Sequence, residues 1–360
     1  MSKQNRKEDT FTVSKILKIF GTEVSNTAFA KAAAKGTIPT PERIGDGAIT
    51  RREWRLEDIP LIGEKYGFLN TKVAPTSIAI FTTKGGVLKT TLALNLARLA
   101  ALHNVKTCIV GLDVQGDISA TLGHQLNLDE CESLDAAISE INKVKGLLHL
   151  LQGKATVDEI IMDTDLPTLK FIPETPELVA VEQLLSNKTR REYWLRENVI
   201  DPLKGKFDLV IMDCSPNWNR LVTNALASCD ILISPLECKI NNFRNYDVFK
   251  TLIDGFFNEM KITPKHILVP TKLSSTRKLS SEIRAWYLSN VKGCTNGAIR
   301  ELASGEESVA KNRSLPEYAP TSLAAQEMRE IISEIWNAIQ VRETTNFKSK
   351  PIKNDVSPSL

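Results

Sequence analysis

The sequence lacks the features of a membrane, secreted or disulfide-bonded protein. It has no apolar run long enough to span a bilayer, and its first residues contain no apolar signal-peptide core. The six cysteines form no C-x-x-C pair and most lie in or beside predicted strands, so we expect reduced, buried cysteines in a cytoplasmic protein. Apolar residues make up 42% and charged residues 25% of the 360, as in ordinary globular proteins.

The chain also lacks a strong excess of charge, because its net charge is only +3. The distribution is uneven, however. Residues 1–72 carry 13 Lys and Arg against 9 Asp and Glu, and residues 341–360 carry 4 against 2. Basic flanks favour contact with nucleic acid, although solvated surface charge explains the same counts.

One stretch, residues 77–102, has the pattern of a phosphate-binding loop. The apolar run Ile78–Phe81 predicts a strand, and leucines at helical spacing predict an amphipathic helix after a glycine turn. Such a turn directs backbone N–H groups and the positive end of the helix dipole at an anion. Gly85 and Gly86 permit close approach of phosphate, Lys89 supplies charge, and the Thr90 hydroxyl suits Mg²⁺. The alternative is a glycine turn that binds nothing.

The literal P-loop pattern G-x-x-x-x-G-K-[ST] fails, because Thr83 and Leu88 stand where its glycines belong. A second lysine, Lys84, lies five residues before Lys89. The string K-G-G-V-L-K-T-T resembles the deviant Walker A loop of the ParA/MinD family, the DNA-segregation and cell-positioning ATPases. The resemblance implies ATP and Mg²⁺ as ligands, with the nucleotide held by Lys84, Gly85, Gly86, Val87, Leu88, Lys89, Thr90 and Thr91.

Two acids follow the next predicted strand, which begins near Val105. The family shows D-x-D-P-Q-x-N here, and Gly111, Val114 and Asp117 replace its first acid, its proline and its asparagine. That variant resembles the nitrogenase iron-protein branch of the superfamily. The resemblance implies that Asp113 positions the attacking water and that Asp117 contacts Mg²⁺ indirectly. The alternative is that both acids cap the following helix.

The stretch F-D-L-V-I-M-D-C-S-P, beginning at Phe207, matches the Walker B pattern of apolar residues followed by an acid. A buried parallel strand would deliver Asp213 to the shell of Mg²⁺. Such strands are common, but this one is followed by Cys214-Ser215-Pro216, which is similar to the family's D-C/T-P-P. We therefore predict Thr90, Asp213 and Asp117 as the magnesium residues.

Strands and helices alternate from residue 77 to 340, with further strands near Thr168, Asp230 and Lys265. This predicts an α/β fold with a doubly wound, mostly parallel sheet, as in P-loop NTPases. We divide the chain into a head (1–72), a linker (73–76), an ATPase domain (77–341) and a disordered basic tail (342–360). The tail cannot form the amphipathic membrane helix of the MinD branch, so we expect no membrane partner.

The head has the outline of a helix-turn-helix followed by a wing. Helices are predicted over 11–20 and 26–35, a hairpin turn at Gly45-Asp46-Gly47, and a third helix from Glu57. The pattern resembles the MerR-type winged helix and the operator-binding head of the larger plasmid ParA proteins. The resemblance implies DNA contact by Arg43, Arg51 and Arg52. The alternative is a small helical bundle that serves only dimerisation.

The family resemblance implies a DNA-partition switch. In the family, the lysine that matches Lys84 reaches across a two-fold interface to the partner's ATP, so two subunits close over two nucleotides. The resulting homodimer coats DNA without sequence preference, and a centromere-bound ParB-type protein stimulates hydrolysis and release. The head would repress its own operon, turnover would be slow, and the protein would be associated with the nucleoid.

DNA binding by the ATPase domain needs basic side chains on its surface, although solvated charge explains each one individually. The candidates are Arg277, Lys278, Arg300, Lys311 and Arg313.

Two other functions fit the same residues. The first is a DNA-binding repressor that uses ATP only as a ligand and hydrolyses little of it. The second is an iron–sulfur electron donor like the nitrogenase iron protein, which would need cysteine ligands at the dimer axis.

Overall fold

The computed structural model describes residues 10–44, 51–71, 73–115, 117–124, 133, 143–300, 307–308 and 311–346. The strands are β1 Thr10–Phe11, β2 Glu42–Ile44, β3 Arg51–Arg55, β4 Thr76–Ile80, β5 Thr107–Leu112, β6 Met162–Asp163, β7 Leu169–Ile172, β8 Leu209–Cys214, β9 Ile231–Glu237, β10 Lys265–Leu273 and β11 Ile299–Arg300. The α-helices are α1 Val13–Phe20, α2 Asn26–Ala34, α3 Ile59–Tyr66, α4 Lys89–Leu102, α5 Asp117–Thr121, α6 Leu147–Leu151, α7 Leu178–Leu185, α8 Asp201–Lys204, α9 Arg220–Ser228, α10 Ile240–Met260, α11 Lys278–Asn290, α12 Leu315–Tyr318 and α13 Leu323–Asn346.

Eight strands of the described chain form one sheet in the order β11-β10-β9-β4-β8-β5-β7-β6. Neighbouring strands are parallel except for the pair β6 and β7. The chain leaves β4 toward β5 on one side and adds β9, β10 and β11 on the other. Open parallel sheets bind ligands at the carboxyl ends of their strands, beside such a reversal. The predicted mostly parallel sheet is confirmed.

Both faces of the sheet are covered, because successive strand residues point to opposite sides. Ile78 and Ile80 of β4 belong to a core shared with α4 and α13. Ala79 and Phe81 belong to a second core shared with α7, α9 and α10. Two covered faces explain why the central strands read as continuous apolar runs.

Helix α4 was expected to be amphipathic, and this was wrong. Its residues 92–102 are all buried, including the polar side chains of Asn95 and Arg98. The helix lies between the sheet and the N-terminal residues, and its buried apolar side chains share one core with α1, α3 and α13. A helix that is enclosed on all sides needs apolar residues around its whole circumference, whereas an amphipathic helix has them on one side only.

The head begins with the two predicted helices. The side chain of Thr12 caps α1 and that of Ser25 caps α2, and α1 ends at Gly21 with φ of 64°. Strands β1, β3 and β2 form a separate antiparallel sheet in that order. The helix pair and the β2–β3 hairpin are thus present, while the predicted Gly45–Gly47 turn lies outside the described residues. Use of this unit for DNA binding stays a prediction.

The head packs directly on the domain that contains the eight-stranded sheet. A methyl group built on Gly63 of α3 would lie 1.9 Å from the carbonyl oxygen of Leu102 at the end of α4, so only glycine fits there. The backbone N–H of Phe68 donates to Nε2 of His103 at 2.9 Å, and the Trp336 indole of α13 donates to the carbonyl of Asn70 at 2.7 Å. These contacts fasten the head to both α4 and α13.

The C-terminal helix is longer than predicted. Helix α13 continues to Asn346, so the segment expected to be disordered from residue 342 starts as helix. Residues 347–360 lie outside the described chain. Within the part that the structure describes, no helix is both long and apolar enough to cross a membrane.

We predict that the stability of the protein falls in mild acid because of His103. Since Nε2 accepts from Phe68, Nδ1 is the protonated nitrogen, and it donates to the carbonyl of Leu99 at 2.6 Å. Burial lowers the pKa of His103 to about 4. The unfolded chain therefore binds more protons between this value and the ordinary value of about 6.5. Lowering the pH from about 6.5 to 5 should cost about 1.5 kcal/mol of unfolding free energy from this residue.

Denaturant unfolding of the wild type and of His103→Gln over pH 5–7 measures this effect. The His103→Gln variant should show a shallower decline of stability. His266→Gln is measured in parallel to separate the contribution of half-buried His266, whose pKa is also lowered to about 4 by desolvation. A decline in His103→Gln as steep as in the wild type would contradict the assignment.

Candidate functional site

The loop between β4 and α4 forms a cradle at the carboxyl end of the central strand. Gly86 has φ of +69°, a left-handed conformation that favours glycine. Val87 is fully buried, which anchors the loop in the core. Helix α4 starts at Lys89 without a side-chain cap. Its first N–H groups have no intrahelical acceptor, so the cradle is built to bind an anion.

Leu88 adopts the left-handed conformation that a glycine would normally provide. Its φ and ψ are 70° and 31°, at the N-cap of α4. This conformation costs a non-glycine residue about 1–2 kcal/mol. The leucine side chain packs against the core shared with α4. The departure from the P-loop pattern therefore changes the residue but keeps the turn.

Two of the three residues predicted to hold magnesium, Thr90 and Asp213, are in contact. Parallel pairing of β4 with β8 places Asp213 opposite Ile80, and Thr90 Oγ1 donates to Asp213 Oδ2 at 2.7 Å. The other carboxylate oxygen, Oδ1, is buried without a hydrogen-bond partner. Burial raises the pKa of Asp213 to about 7, and the charges of Glu174 and Asp113 add to the rise.

The same residues fit Mg²⁺ on these observations. A divalent ion would supply the partner that Oδ1 lacks and would favour the ionised carboxylate. Thr90 and Asp213 would hold it, and bound there it would neutralise phosphate charge. The described residues include no cluster of three or more His, Cys, Asp or Glu side chains that could hold a metal by themselves. Burial also raises the pKa of the neighbouring Cys214 thiol, which disfavours a thiolate ligand there.

Asp113 follows β5 directly and lies at the same edge of the sheet. The register of β5 against β8 pairs Gly111 with Asp213 and Leu112 with Cys214. Asp113 therefore lies one residue beyond the last residue of β5 that pairs with β8. Its carboxylate is half-buried and accepts the backbone N–H of Gln115 at 3.2 Å. Asp117 begins α5, but its side chain lies outside the described set. The water-positioning role of Asp113 and the magnesium role of Asp117 stay predictions.

An acid that the sequence analysis missed, Glu174, fills the space beside Gly111. A methyl group on Gly111 would lie 2.2 Å from Cδ of Glu174. The Glu174 carboxylate accepts the backbone N–H groups of Ile118 and Ser119 at 3.1 and 3.0 Å, and the Ser119 hydroxyl at 2.5 Å. Glu174 thus holds the start of α5, which begins four residues after Asp113, and it explains why residue 111 is glycine.

The two loop lysines have different partners. Lys89 is buried and donates to the carbonyl of Lys84 at 3.2 Å. The ammonium of Lys84 forms an ion pair of 2.5 Å with Glu237 at the end of β9. Lys272 of β10 also pairs with Glu237, at 3.2 Å. The single chain therefore gives Lys84 an internal partner, and its predicted reach into a second subunit stays a prediction.

The predicted DNA-binding residues divide into exposed and ion-paired groups. Arg43 and Arg52 are exposed and directly opposite each other on β2 and β3, with Arg51 exposed beside them. Arg277, Lys278 and Lys311 are also exposed, and Lys278 pairs with Glu282 at 3.5 Å. In contrast, Arg300 pairs with Glu327 at 2.6 Å, and Arg313 pairs with Asp165. The first group presents positive charge to solvent, whereas the last two arginines also hold the fold together.

Three site residues were missed by the sequence analysis: Glu174, Glu237 and Lys272. Glu174 follows β7, Glu237 ends β9, and Lys272 is the last residue but one of β10. The sequence predicts all three strands. Polar residues at the carboxyl ends of parallel strands are candidates for the site on that ground alone. That signal was present, but motif matching singled out only the ends of β4, β5 and β8.

We predict that Gly111 and Glu174 are energetically coupled. Gly111→Ala should displace the Glu174 carboxylate and destabilise the fold by about 2 kcal/mol through overpacking. Glu174→Ala removes the acceptor for α5. The double variant should cost less than the sum by about 1 kcal/mol, because the methyl group enters vacated space.

Urea unfolding of the four proteins measures the coupling. Gly255→Ala is the matched control, since a methyl group there meets no atom within 4 Å and should leave stability equal or higher. Additive losses in the double variant would rule out the contact between the two residues.

The chain matches one family model and is similar to several curated proteins and solved structures. Residues 75–262, just over half of the chain, match the family AAA_31, described as an AAA domain. The chain is 34% identical over 162 residues to the chromosome partitioning protein ParA of Myxococcus xanthus, a match covering 45% of this chain and 52% of the relative. The chain thus spans about half the length of the first curated relatives it matches, including ParA of Caulobacter vibrioides, covered to 56%.

Solved structures share the fold. Apo McdA of Cyanothece superimposes with a TM-score of 0.61 at 16% identity, covering 72% of this chain and 99% of McdA. A putative plasmid partition protein of Borrelia burgdorferi bound to AMPPNP gives a TM-score of 0.58 at 20% identity, covering 73% and 99%. The family model covers more than half of the sequence, so the chain belongs to the AAA_31 family of AAA domains, and its curated relatives include ParA chromosome partitioning proteins.

Proposed function

We propose that this protein is an ATP-dependent DNA-partition ATPase that acts in the segregation of a plasmid or chromosome. The observation that carries the proposal is the meeting of the two-lysine loop, the Thr90–Asp213 pair and Asp113 at one edge of the sheet. The names of the related ParA proteins support the same function.

In the proposed cycle, the loop binds ATP, and Thr90 and Asp213 hold Mg²⁺. Lys84 leaves Glu237 and contacts the nucleotide of a second copy, so ATP closes a homodimer. Asp113 orients the attacking water, and a centromere-binding ParB-type partner stimulates the slow basal hydrolysis. Loss of the terminal phosphate then removes the contact that holds the dimer closed.

DNA binding is proposed at two places. The closed dimer would bind DNA without sequence preference through exposed cations such as Arg277, Lys278 and Lys311. The head would bind the operator of its own operon through the β2–β3 hairpin. Like charges directly opposite in a hairpin are destabilising, so the exposed pair Arg43 and Arg52 favours an anionic partner at that surface.

A second candidate function is a repressor that uses ATP as a ligand with little hydrolysis. The packing of the head on α4 favours it, because α4 begins at the phosphate loop and ends against Gly63 and Phe68 of the head. A ligand at the loop would then be linked to the DNA-binding surface without turnover. The two functions differ in whether ATP hydrolysis, and therefore Asp113, is required.

Association of the protein should depend on ATP and on Lys84. In gel filtration with Mg²⁺, the wild type should shift from monomer to dimer on addition of ATP. Lys84→Ala should bind ATP but stay monomeric, because it lacks the charge that reaches the second nucleotide. Lys188→Ala, at an exposed lysine that follows α7, is the control and should dimerise normally. A wild type whose association ignores ATP would exclude the switch.

Asp113→Ala should bind ATP and dimerise yet lose hydrolysis, by about 100-fold or more if Asp113 positions the water as a general base would. Phosphate release is measured with DNA and the partner protein present. Stimulated release in the wild type that Asp113→Ala abolishes supports the partition ATPase. Operator binding that needs ATP, with no stimulated release and no effect of Asp113→Ala, supports the repressor instead.

A further inference from the structure

The carboxylate of Glu237 is shared by two lysines at the edge of the phosphate loop. Its side chain is only 5% exposed, and its two oxygens take one ammonium each: Oε2 that of Lys84 and Oε1 that of Lys272. A carboxylate this deeply buried is stable when it is paired. Glu237 therefore acts as a common anchor for two cations that come from different parts of the chain.

Lys272 is placed beside the loop by an uncommon backbone conformation. Its φ is 50°, in the left-handed region that non-glycine residues seldom adopt. Such strain persists where the surrounding structure fixes the residue, and it is concentrated at functional sites. A methyl group built on Gly86 would lie 4.0 Å from the Lys272 ammonium. The ammonium therefore lies within reach of an anion that the loop binds.

On the side of the loop that faces β9 and β10, positive charge exceeds negative charge. Lys84, Lys89 and Lys272 supply three cations, and Glu237 is the acid that pairs with two of them. A polyphosphate has more charge and more acceptor oxygens than one carboxylate, so it can replace Glu237 as the partner of both lysines.

We propose that Lys272 is a further phosphate-binding residue for the nucleotide, and that Glu237 is a positioning residue that holds Lys84 and Lys272 until the phosphates take its place. This inference rests on the proposed function, because it assumes that the loop binds ATP. It adds a phosphate-binding residue on β10 that contacts the nucleotide of its own chain, whereas Lys84 is proposed to contact the nucleotide of a second copy.

The two substitutions should change affinity in opposite directions. Lys272→Met removes a phosphate partner, so ATP and ADP should bind about tenfold more weakly. Lys272→Arg keeps the charge and should recover most of that loss. Glu237→Gln removes the charge that competes with phosphate for Lys272, so ATP should bind more tightly.

The test uses titration of the full chain with ATP and ADP bearing a fluorescent N-methylanthraniloyl group. It is carried out in the Lys84→Ala background, so that dimerisation does not contribute. Lys204→Met is the matched control, because Lys204 pairs with Asp230 at 2.7 Å at the opposite end of β9 and is similarly exposed, at 26% against 23% for Lys272. It should bind both nucleotides like its parent.

Each outcome decides the inference. Unchanged ATP binding in Lys272→Met overturns it, even if the wild type dimerises with ATP. Equal losses of ATP affinity in Lys272→Met and Lys272→Arg also overturn it. The shape of the lysine side chain, rather than its charge, would then determine binding. If the wild type binds no ATP at all, the proposed function fails as well, which the wild-type titration alone reveals.

Discussion

The parallel register between β4 and β8 is the constraint on which the site depends. It sets Ile80 beside Asp213, and thereby brings the strand that carries the phosphate loop next to the strand that carries the buried acid. The hydroxyl of Thr90, one residue into α4, then reaches the carboxylate. Because side chains alternate along a strand, a slip of one residue would turn Asp213 to the other face and remove the pair.

Around that pair, the edge of the sheet is divided by charge. Acids end the strands on one side of β4, with Asp113 after β5, Glu174 after β7 and Asp213 on β8. Lysines lie at the loop and on β10, with Glu237 of β9 between them. The acidic half suits a divalent cation and the basic half suits phosphate, so the strand order itself separates the two binding functions.

Local patterns in the sequence predicted much of this arrangement. The strand–loop–helix unit, the Walker B strand ending at Asp213, the parallel sheet and the first two helices of the head all depend on neighbours in the chain. The pairing of Lys84 with Glu237 joins residues 153 positions apart, and Glu174 meets Ser119 across 55. Such contacts follow from strand order, which periodicity does not specify. For the same reason the sequence identified Gly111 as unusual but could not identify the side chain that fills its place.

The helix that begins at the phosphate loop is held by a buried ion-pair network. Arg98 of α4 has no exposed side chain and lies between Glu317, at 2.7 Å, and Asp165, at 2.8 Å. Asn95 accepts the backbone N–H of Leu315 at 2.7 Å, so α4 and α12 are joined twice. Separating a buried pair of this kind costs about 3–5 kcal/mol, because one charge is left uncompensated.

Helix α4 is therefore poorly able to move relative to α12, and its far end is fixed to the head through Leu102 and His103. These contacts hold the head, α4 and α12 together. A ligand that changes the conformation of the loop must act on the ends of β9 and β10, where half-exposed lysines share one acid, rather than by sliding α4. The parts of the site that can adapt to nucleotide are thus the same parts that the ion pairs with Glu237 hold in the free chain.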